Sequence, residues 1–441
     1  VNIRTVAVRI LNVLPSGGKN YESAIEQNIK SLNLSSSDRE MVCLLVKGVI
    51  QHQRLLDYII DLARNKRNKR LEKVASNLLR LGVLQKEILQ LPRHAAVNET
   101  VNAAHDLRRH DLAGIVNAVL RHLPEEETWR ADLNHLEPPA ALSIEYSHPE
   151  WLVRKWTGDF GPENTTTLLR FNNTYQPIFF RHNPLRIAWP ELVEMLAAEE
   201  LQVRIYESAP IHYFTVDRPG DLLKSGVFQN GYCSVQDYSQ SFAVRLLDPQ
   251  VGETILDTCA APGGKTTQIA QLTKNQASII ANDRTHRKVA LIKESACRLG
   301  IDSLNYSMTD AGGTRFPKVD KVLVDAPCSG TGVLSRRADL RWNRQIEDIE
   351  QMQKTQERIL DNAAGSLNEK GVLVYSTCSL EIEENWVTVN EFTRRHPEFQ
   401  VESAANFTDP CFCDESGAVQ ILPFKHNLTG SFAVRLVKTL S

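Results

Sequence analysis

The chain has 441 residues, enough for two or three domains, and its 42% hydrophobic and 24% charged content is that of an ordinary globular protein. No run approaches the ~20 consecutive apolar residues of a membrane span. Eight scattered cysteines, of which only Cys411 and Cys413 are close, offer neither zinc spacing nor a disulfide framework, so a reducing cytoplasm and no metal are expected. The net charge of −2 hides an asymmetry: residues 1–123 hold 19 Lys/Arg and 11 Asp/Glu (+8), the remainder 32 and 42 (−10). That split suits a basic module for an anionic partner, joined to a unit with a different task.

In chain order, "VNIRTVAVRILNVL" (1–14) is amphipathic without the apolar core and cleavage site of a signal peptide, and reads as a first core helix. Residues 1–123 keep helical spacing, as in "MVCLLVKGVIQHQRLLDYIIDLA" and "VASNLLRLGVLQKEIL", with breaks at "NVLPSGGKN" and "LPRH". An all-helical bundle is expected. The run "ARNKRNKRLEK" (63–73) reads equally as a solvated helix face or a phosphate-contacting patch, with Arg80, Arg93, Arg108, Arg109 and Arg121 as further basic positions. The acidic, Pro-containing stretch 122–140 reads as a linker or domain boundary. "QPIFFRHNP" and "VRIYESAPIHYFTVD" place short strands among helices between 145 and 250. Domain limits are drawn at 1–135, 136–230 and 231–441.

From 251 the rhythm changes. Apolar strands "TILD", "SIIAND", "LNYSMTD", "KVLVDAPC" and "GVLVYSTC" alternate with helices, among them one within 345–367 and one near 384–395. This is the pattern of a doubly wound, mostly parallel α/β sheet. "SFAVRLVK" is expected to close it as an antiparallel edge.

"DTCAAPGGKTT" (257–267) follows the first strand of that sheet, where such folds bind ligands. Its "GKT" suggests a phosphate loop, but Cys259 stands where the first glycine of G-x-x-x-x-G-K-[ST] belongs, so that reading fails on spacing. What remains is a turn whose Gly263 and Gly264 admit a close ligand. Asp283, ending the next strand, suits ribose hydroxyls, and Asp310, ending the third, an adenine amino group. Each acid alone is more often a turn or cap residue; acids at consecutive strand ends point to a nucleoside without a triphosphate cradle, hence S-adenosylmethionine. Cys328 in "DAPCSGTG" and Cys378 in "YSTCS" each invite assignment as a nucleophile, and Asp325 stands three residues before Cys328.

"LDTCAAPGGKTT", "VDAPCSGTG" with "DLRW", and "YSTCSLEIEEN" resemble, in order and spacing, the RNA cytosine-C5 methyltransferases. The helical N-terminal region resembles the NusB RNA-binding fold, and "GIVNAVLRHL" and "VQDYSQSFAV" strengthen a resemblance to the RsmB (Fmu/Sun) family of bacterial 16S ribosomal RNA methyltransferases. The resemblance implies an all-α NusB-like domain followed by a Rossmann-like class I methyltransferase domain. It implies that Cys259, Ala260, Ala261, Pro262, Gly263, Gly264 and Lys265 line the S-adenosylmethionine site, with Asp283, Asp310 and Asp325 as further contacts. DNA cytosine methyltransferases attack with the Pro-Cys thiol, which would elect Cys328. The RNA family attacks C6 with the Thr-Cys thiol, here Cys378, and its Pro-Cys thiol, here Cys328, assists product release while Asp325 contacts N3. The implied partner is 16S ribosomal RNA, free or in an early 30S intermediate, and not DNA or a membrane. Arg341 and Trp342 are expected to contact the RNA or the flipped base, with simple packing as the alternative for Trp342. Cys43, Cys297, Cys411 and Cys413 are expected as buried structural thiols. Two positions depart from the family: Thr309 and Ala311 flank Asp310 where glycines are usual, and Thr429 stands where an acid is common. A tRNA cytosine-C5 methyltransferase and a non-catalytic RNA-binding assembly or antitermination factor are the competing readings.

Overall fold

The computed structural model describes residues 2–14, 21–30, 32, 34–64, 71–207 and 210–439. Residues 65–70 of the basic run and 15–20 of the first break lie outside the described residues. The chain forms two compact units, Val1–Thr174 with Leu334–Arg344, and Tyr175–Val333 with Gln345–Ser441.

The first unit is helical. Its opening helix, Ile3–Val13, is capped by the Asn2 side chain and buries Val6, Ala7, Ile10 and Leu11. The helices Ser36–Gln51, Gln53–Arg64, Lys73–Val83, Arg93–Asp106 and His110–Arg121 turn their periodic apolar faces into the same core. Stretch 122–140 is not a linker. It contains the helix Glu126–Leu133, whose Trp129 and Leu133 enter that core, and the start of Pro138–Glu145. Its acids lie on the outer face, with Glu126 and Glu127 at the helix N-terminus, where they oppose the positive end of the dipole. Helices continue to Asn173, so this unit runs well past the limit drawn at 135.

Leu334–Arg344, which follows the "DAPCSGTG" loop in sequence, belongs to this unit as well. Arg341 is wholly buried and donates to the carbonyls of Gln51 (3.0 Å), Ser147 (3.2 Å) and Asn172 (2.7 Å) and to Asn173 Oδ1 (2.8 Å). Trp342 Nε1 donates to the Ile50 carbonyl at 2.7 Å, and Ala338 joins the core. These are structural roles, in place of the expected RNA contacts. A guanidinium has five donors in a planar fork, which is why one arginine can close several backbone ends at once.

The second unit carries two sheets. Strands β1 (Phe180–His182), β2 (Val203–Glu207), β3 (Tyr213–Val216) and β4 (Cys233–Val235) form an antiparallel sheet in the order β2-β3-β1-β4. Because β4 pairs with β1, this sheet crosses the limit drawn at 230. The larger sheet comprises β5 (Thr254–Asp257), β6 (Ser278–Asn282), β7 (Leu304–Ser307), β8 (Val319–Asp325), β9 (Leu367–Thr377), β10 (Phe399–Glu402), β11 (Val419–Ile421) and β12 (Ser431–Lys438). Its order is β10-β12-β9-β8-β5-β6-β7, with β11 also paired to β12. Strands β5 to β9 are parallel, and successive residues feed opposite cores: Ile255, Leu323 and Val374 one, Leu256, Val324 and Tyr375 the other. β12 is antiparallel as expected but is not an edge, since β10 pairs along its far side.

Two histidines beside Arg341, half-buried His52 and buried His148, tie the first unit to pH. Burial, then the Arg341 charge, lowers His52 to about 4, and the same causes hold His148 well below its ordinary value. A depressed histidine contributes stability that is complete above the unfolded value of ~6.5 and is lost as pH falls through the folded value. The urea midpoint of this unit is therefore expected to drop between pH 6.5 and 4, with His52→Gln flattening the slope. Arg341→Ala strands several buried carbonyls and is expected to destabilise the unit by roughly 3 kcal/mol or more in the same measurement.

Candidate active site

The chain leaves β5 toward β6 and β7, then returns to the other side of β5 to form β8 and β9. The crossovers diverge between β5 and β8, and the crevice above their carboxyl ends is where open parallel sheets take ligands. The register pairs Asp257 with Leu323 and Asp325 with Ser376, so the loops after β5, β8 and β9 start from one rim.

The loop after β5 is held by its neighbours. Ala260 N–H donates to the Asn282 carbonyl (2.8 Å) and Ala261 N–H to Asp283 Oδ2 (3.1 Å). Asn282 Nδ2 donates to the Thr258 carbonyl (2.9 Å), while its Oδ1 accepts from Thr309 N–H (3.1 Å). Gly263 adopts φ +108° as the cap of the helix Gly264–Leu272, a conformation that favours glycine. Arg181 of β1, also wholly buried, reaches the other flank, donating to the Gly264 carbonyl (2.7 Å), Thr267 Oγ1 (2.9 Å), Gln271 Oε1 (2.8 Å) and Gln236 Oε1.

Lys265, the one cation of this loop, is consumed: its ammonium donates to Asp325 Oδ2 and Gln240 Oε1, both at 2.7 Å. The acids around the loop are Asp257, Asp283 and Asp310. Asp257 is buried, accepts from Thr266 Oγ1 (2.6 Å), and burial pushes its carboxyl up to about 7. Asp283 is buried beside the loop and paired with Lys288 (3.1 Å), and Asp310 is exposed near the end of β7 and paired with Arg358 (3.4 Å). A loop without a free cation, flanked by carboxylates, fits a nucleoside with a cationic sulfonium and disfavours a phosphate chain.

The loops after β8 and β9 bring Cys328 Sγ and Cys378 Sγ to 3.2 Å, with neither thiol in a disulfide. With the shared proton on Cys328, this contact holds the Cys378 thiol below its ordinary value, with further help from the Lys265 ammonium. The same contact, then burial, pushes Cys328 well above its ordinary value. Asp325 stands beside the pair, its Oδ1 accepting from Ser376 Oγ at 2.9 Å. Gly332 N–H donates to the Cys378 carbonyl (2.9 Å) and Gly430 N–H to the Gly332 carbonyl (2.8 Å). A Cβ at Gly332 would meet the Cys378 and Gly430 oxygens at 2.8 Å, so only glycine permits this approach. The C-terminal segment thus buttresses the Cys378 loop, and Thr429, at the divergent position, bonds Ser239 Oγ at 2.8 Å.

The remaining cysteines differ from expectation. Cys43, Cys297 and Cys411 are exposed and Cys413 is half-buried, because helix spacing or short turns carry them outward; Cys233 is buried, and burial pushes it up to about 12. Cys259 lies against the core in the β5 loop, its thiol likewise pushed up to about 12 by burial. Of the five named arginines, Arg80 pairs with Asp57 (2.6 Å), Arg93 with Glu125 (2.6 Å) and Arg109 with Glu72 and Asp111 (2.6 Å each), so part of the basic excess is neutralised locally. Sequence reading missed Gln240, Glu384 and Asn385. All three lie inside quoted motifs, but nothing in a linear pattern says which motif side chains point inward.

The family model described as 16S rRNA methyltransferase RsmB/F matches residues 244–437, the NusB family 1–125, and the ferredoxin-like domain of RsmF/B-like methyltransferases 148–219. The chain is 34% identical to the probable ribosomal RNA small subunit methyltransferase B of Bacillus subtilis and 30% identical to ribosomal RNA small subunit methyltransferase B of Photorhabdus laumondii, over 99% of each chain in both cases. Among solved structures, PH0851 matches with a TM-score of 0.81 at 24% identity over 99% of both chains. A methyltransferase homologue from Pyrococcus horikoshii matches at 0.60 and 26% identity, over 69% of this chain and 100% of its own.

The asymmetry of the thiol pair is open to direct measurement. Iodoacetamide near neutral pH is expected to label Cys378 ahead of Cys328 and Cys259. Cys328→Ala should move the labelling midpoint of Cys378 upward by about one pH unit or more, read by peptide mass spectrometry.

Proposed function

The chain belongs to the ribosomal RNA small subunit methyltransferase B family, whose reaction is S-adenosylmethionine-dependent methylation, and from that membership we propose that it forms 5-methylcytosine at one cytosine of 16S ribosomal RNA. The observation that carries this reading is the pair of unlike thiols 3.2 Å apart at the ends of adjacent strands. A methyltransferase acting on a nucleophilic atom needs neither thiol. Cytosine C5 is too electron-poor to take a methyl group unaided, and covalent addition at C6 removes that obstacle.

In this mechanism the Cys378 thiolate forms a bond to C6, and the electron pair displaced toward N3 takes a proton from water, which is given back to water when the adduct breaks down. Asp325, held by Lys265 and Ser376, accepts the resulting N3–H. C5 is now an enamine-like carbon. S-adenosylmethionine supplies the electrophilic methyl group. Cys259 to Lys265, Asp283 and Asp310 hold that cofactor at the rim, a reading supported by the cation-free loop and by the fold shared with a Pyrococcus horikoshii structure determined with the analogue SFG (TM-score 0.58, 23% identity). Elimination then breaks the C6–S bond and releases the C5 proton to water. The departing Cys378 thiolate regains the S–H hydrogen bond from Cys328, which is how Cys328 promotes product release. The helical region retains the RNA, and the target base leaves its stack to reach the crevice. No helix among the described residues is long and apolar enough to cross a membrane, and the proposed setting is the cytoplasm, on free 16S RNA or an early 30S intermediate.

The test is transfer of labelled methyl groups to 16S RNA, 30S particles and tRNA. Wild type is expected to label cytosine C5 of a 16S substrate, Cys378→Ala to lose transfer, and Cys328→Ala to accumulate a denaturation-resistant protein–RNA adduct. Turnover retained by Cys378→Ala but absent in Cys328→Ala would reverse the thiol roles. Preferential labelling of tRNA would replace the substrate, and no labelling at all would favour a binding role. Asp283→Ala is expected to weaken S-adenosylmethionine binding by on the order of 10- to 100-fold in calorimetry.

A further inference from the structure

We propose that Glu384 is a positioning residue that sets the register of the Cys328 and Cys378 loops, and thereby the separation of the two thiols. Glu384 is wholly buried on a five-residue π-helical turn, Glu383–Val387, that leads into the helix Thr388–Arg395. Such turns interrupt regular winding and recur at functional sites. Here the turn sends two consecutive side chains inward, Glu384 and Asn385, and each takes hold of a cysteine loop.

Glu384 grips the first loop on both sides of Cys328. Its Oε1 accepts from Ser329 N–H (2.8 Å) and from Gln356 Nε2 (2.9 Å), and the same Gln356 amide donates to the Pro327 carbonyl (2.9 Å). Its Oε2 accepts from the hydroxyls of Ser329 and of Ser379 (2.5 Å), so the residue after Cys328 and the residue after Cys378 share one carboxylate oxygen. Ser379 Oγ in turn lies 3.0 Å from Ser329 Oγ and accepts from Glu381 N–H (3.1 Å). Asn385 holds the second loop, accepting from Thr377 Oγ1 (2.7 Å) and donating to the Ser379 carbonyl (3.0 Å).

A carboxylate stripped of water is costly unless its lone pairs are filled, and Glu384 has four neutral donors converging on it. Those donors come from three segments far apart in sequence, so the positions that satisfy the carboxylate are also the positions that fix the loops. The Glu384 charge also opposes ionisation of both thiols, Cys328 and Cys378. An amide at 384 presents donors to one pair of these partners, and alanine presents nothing.

The consequence for catalysis rests on the two-thiol reading above, but the positioning itself is measurable without RNA or cofactor. In a glutathione redox buffer, two protein thiols and oxidised glutathione give the Cys328–Cys378 disulfide and two reduced glutathiones, and the equilibrium reports the effective concentration of one thiol at the other. Wild type is expected to form this bond, and Glu384→Ala to lower the effective concentration by on the order of 10- to 100-fold, with Glu384→Gln between them. Circular dichroism establishes that the variants are folded. If Glu384→Ala does not fold, Ser329→Ala with Ser379→Ala removes the shared hydroxyls and must show the same fall. A wild type that forms no bond, or folded variants that form it as wild type does, would overturn the proposal. Methyl transfer by the same variants is expected to lose kcat with the KM for RNA unchanged. Absence of methyl transfer by wild type would defeat the functional reading and leave the glutathione equilibrium to judge Glu384.

Discussion

Parallel hydrogen bonding between β8 and β9, in the register that sets Asp325 against Ser376, is the constraint on which the reactive end of the second unit depends. Neighbouring strands in a sheet lie less than ~5 Å apart, so loops that leave adjacent strands at the same level begin within side-chain reach of each other. Asp325, Cys328 and Cys378 therefore converge although more than fifty residues separate the first from the last. A slip of one residue would turn every side chain of the strand to the opposite face. The cores on the two faces, filled by Ile255, Leu323 and Val374 on one side and Leu256, Val324 and Tyr375 on the other, forbid that slip. The hydrophobic pattern of the strands is thus what aligns two sulfur atoms.

Strand register sets where the loops begin, and buried polar groups set where they end. Arg181 and Arg341 illustrate the method, each closing carbonyl and amide acceptors from distant segments around one guanidinium. Glu384 is the acidic counterpart, gathering neutral donors around one carboxylate. Such groups contribute little net stability when satisfied and are severely destabilising when half satisfied. They consequently tolerate few alternative arrangements, which makes them suited to holding irregular loops that have no ladder of their own. The loop after β5 follows the same logic, with Asn282, Asp283 and Arg181 bonding its backbone so that its glycines hold a single shape.

The thiol pair draws its chemistry from the same enclosure. One proton shared over 3.2 Å makes the two sulfurs unlike, because whichever carries it stabilises charge on the other. The contact itself is the first cause of the difference, lowering Cys378 and raising Cys328; Lys265 adds to the lowering at Cys378, while the Glu384 charge opposes ionisation of both. Two identical residue types thereby acquire opposite tendencies from their surroundings alone, as paired titratable groups in active sites commonly do.

Much of this was legible in the linear chain. Periodicity of 3.6 marked the helices of the first unit, and short apolar runs marked β5, β6, β7, β8 and β9 to within four residues at their ends, because buried strands and amphipathic helices write their environment into local composition. The motif residues Asp283, Asp310, Asp325, Cys328 and Cys378 could be placed near strand ends for a related reason: ends of parallel strands form a rim whatever their spacing in sequence. The helix at 126–133 was hidden, since two buried residues, Trp129 and Leu133, outweigh an acidic composition only once a core exists to receive them. Arg341 read as a residue for RNA because an arginine in a motif is an exposed cation until its carbonyl partners are known. Glu384 and Asn385 were likewise two polar letters in a string. Local sequence determines which segments are strands and helices and which residues stand at their ends; which side chains face inward, and which distant groups they hold, depends on contacts between segments far apart in the chain, and only the tertiary structure decides those.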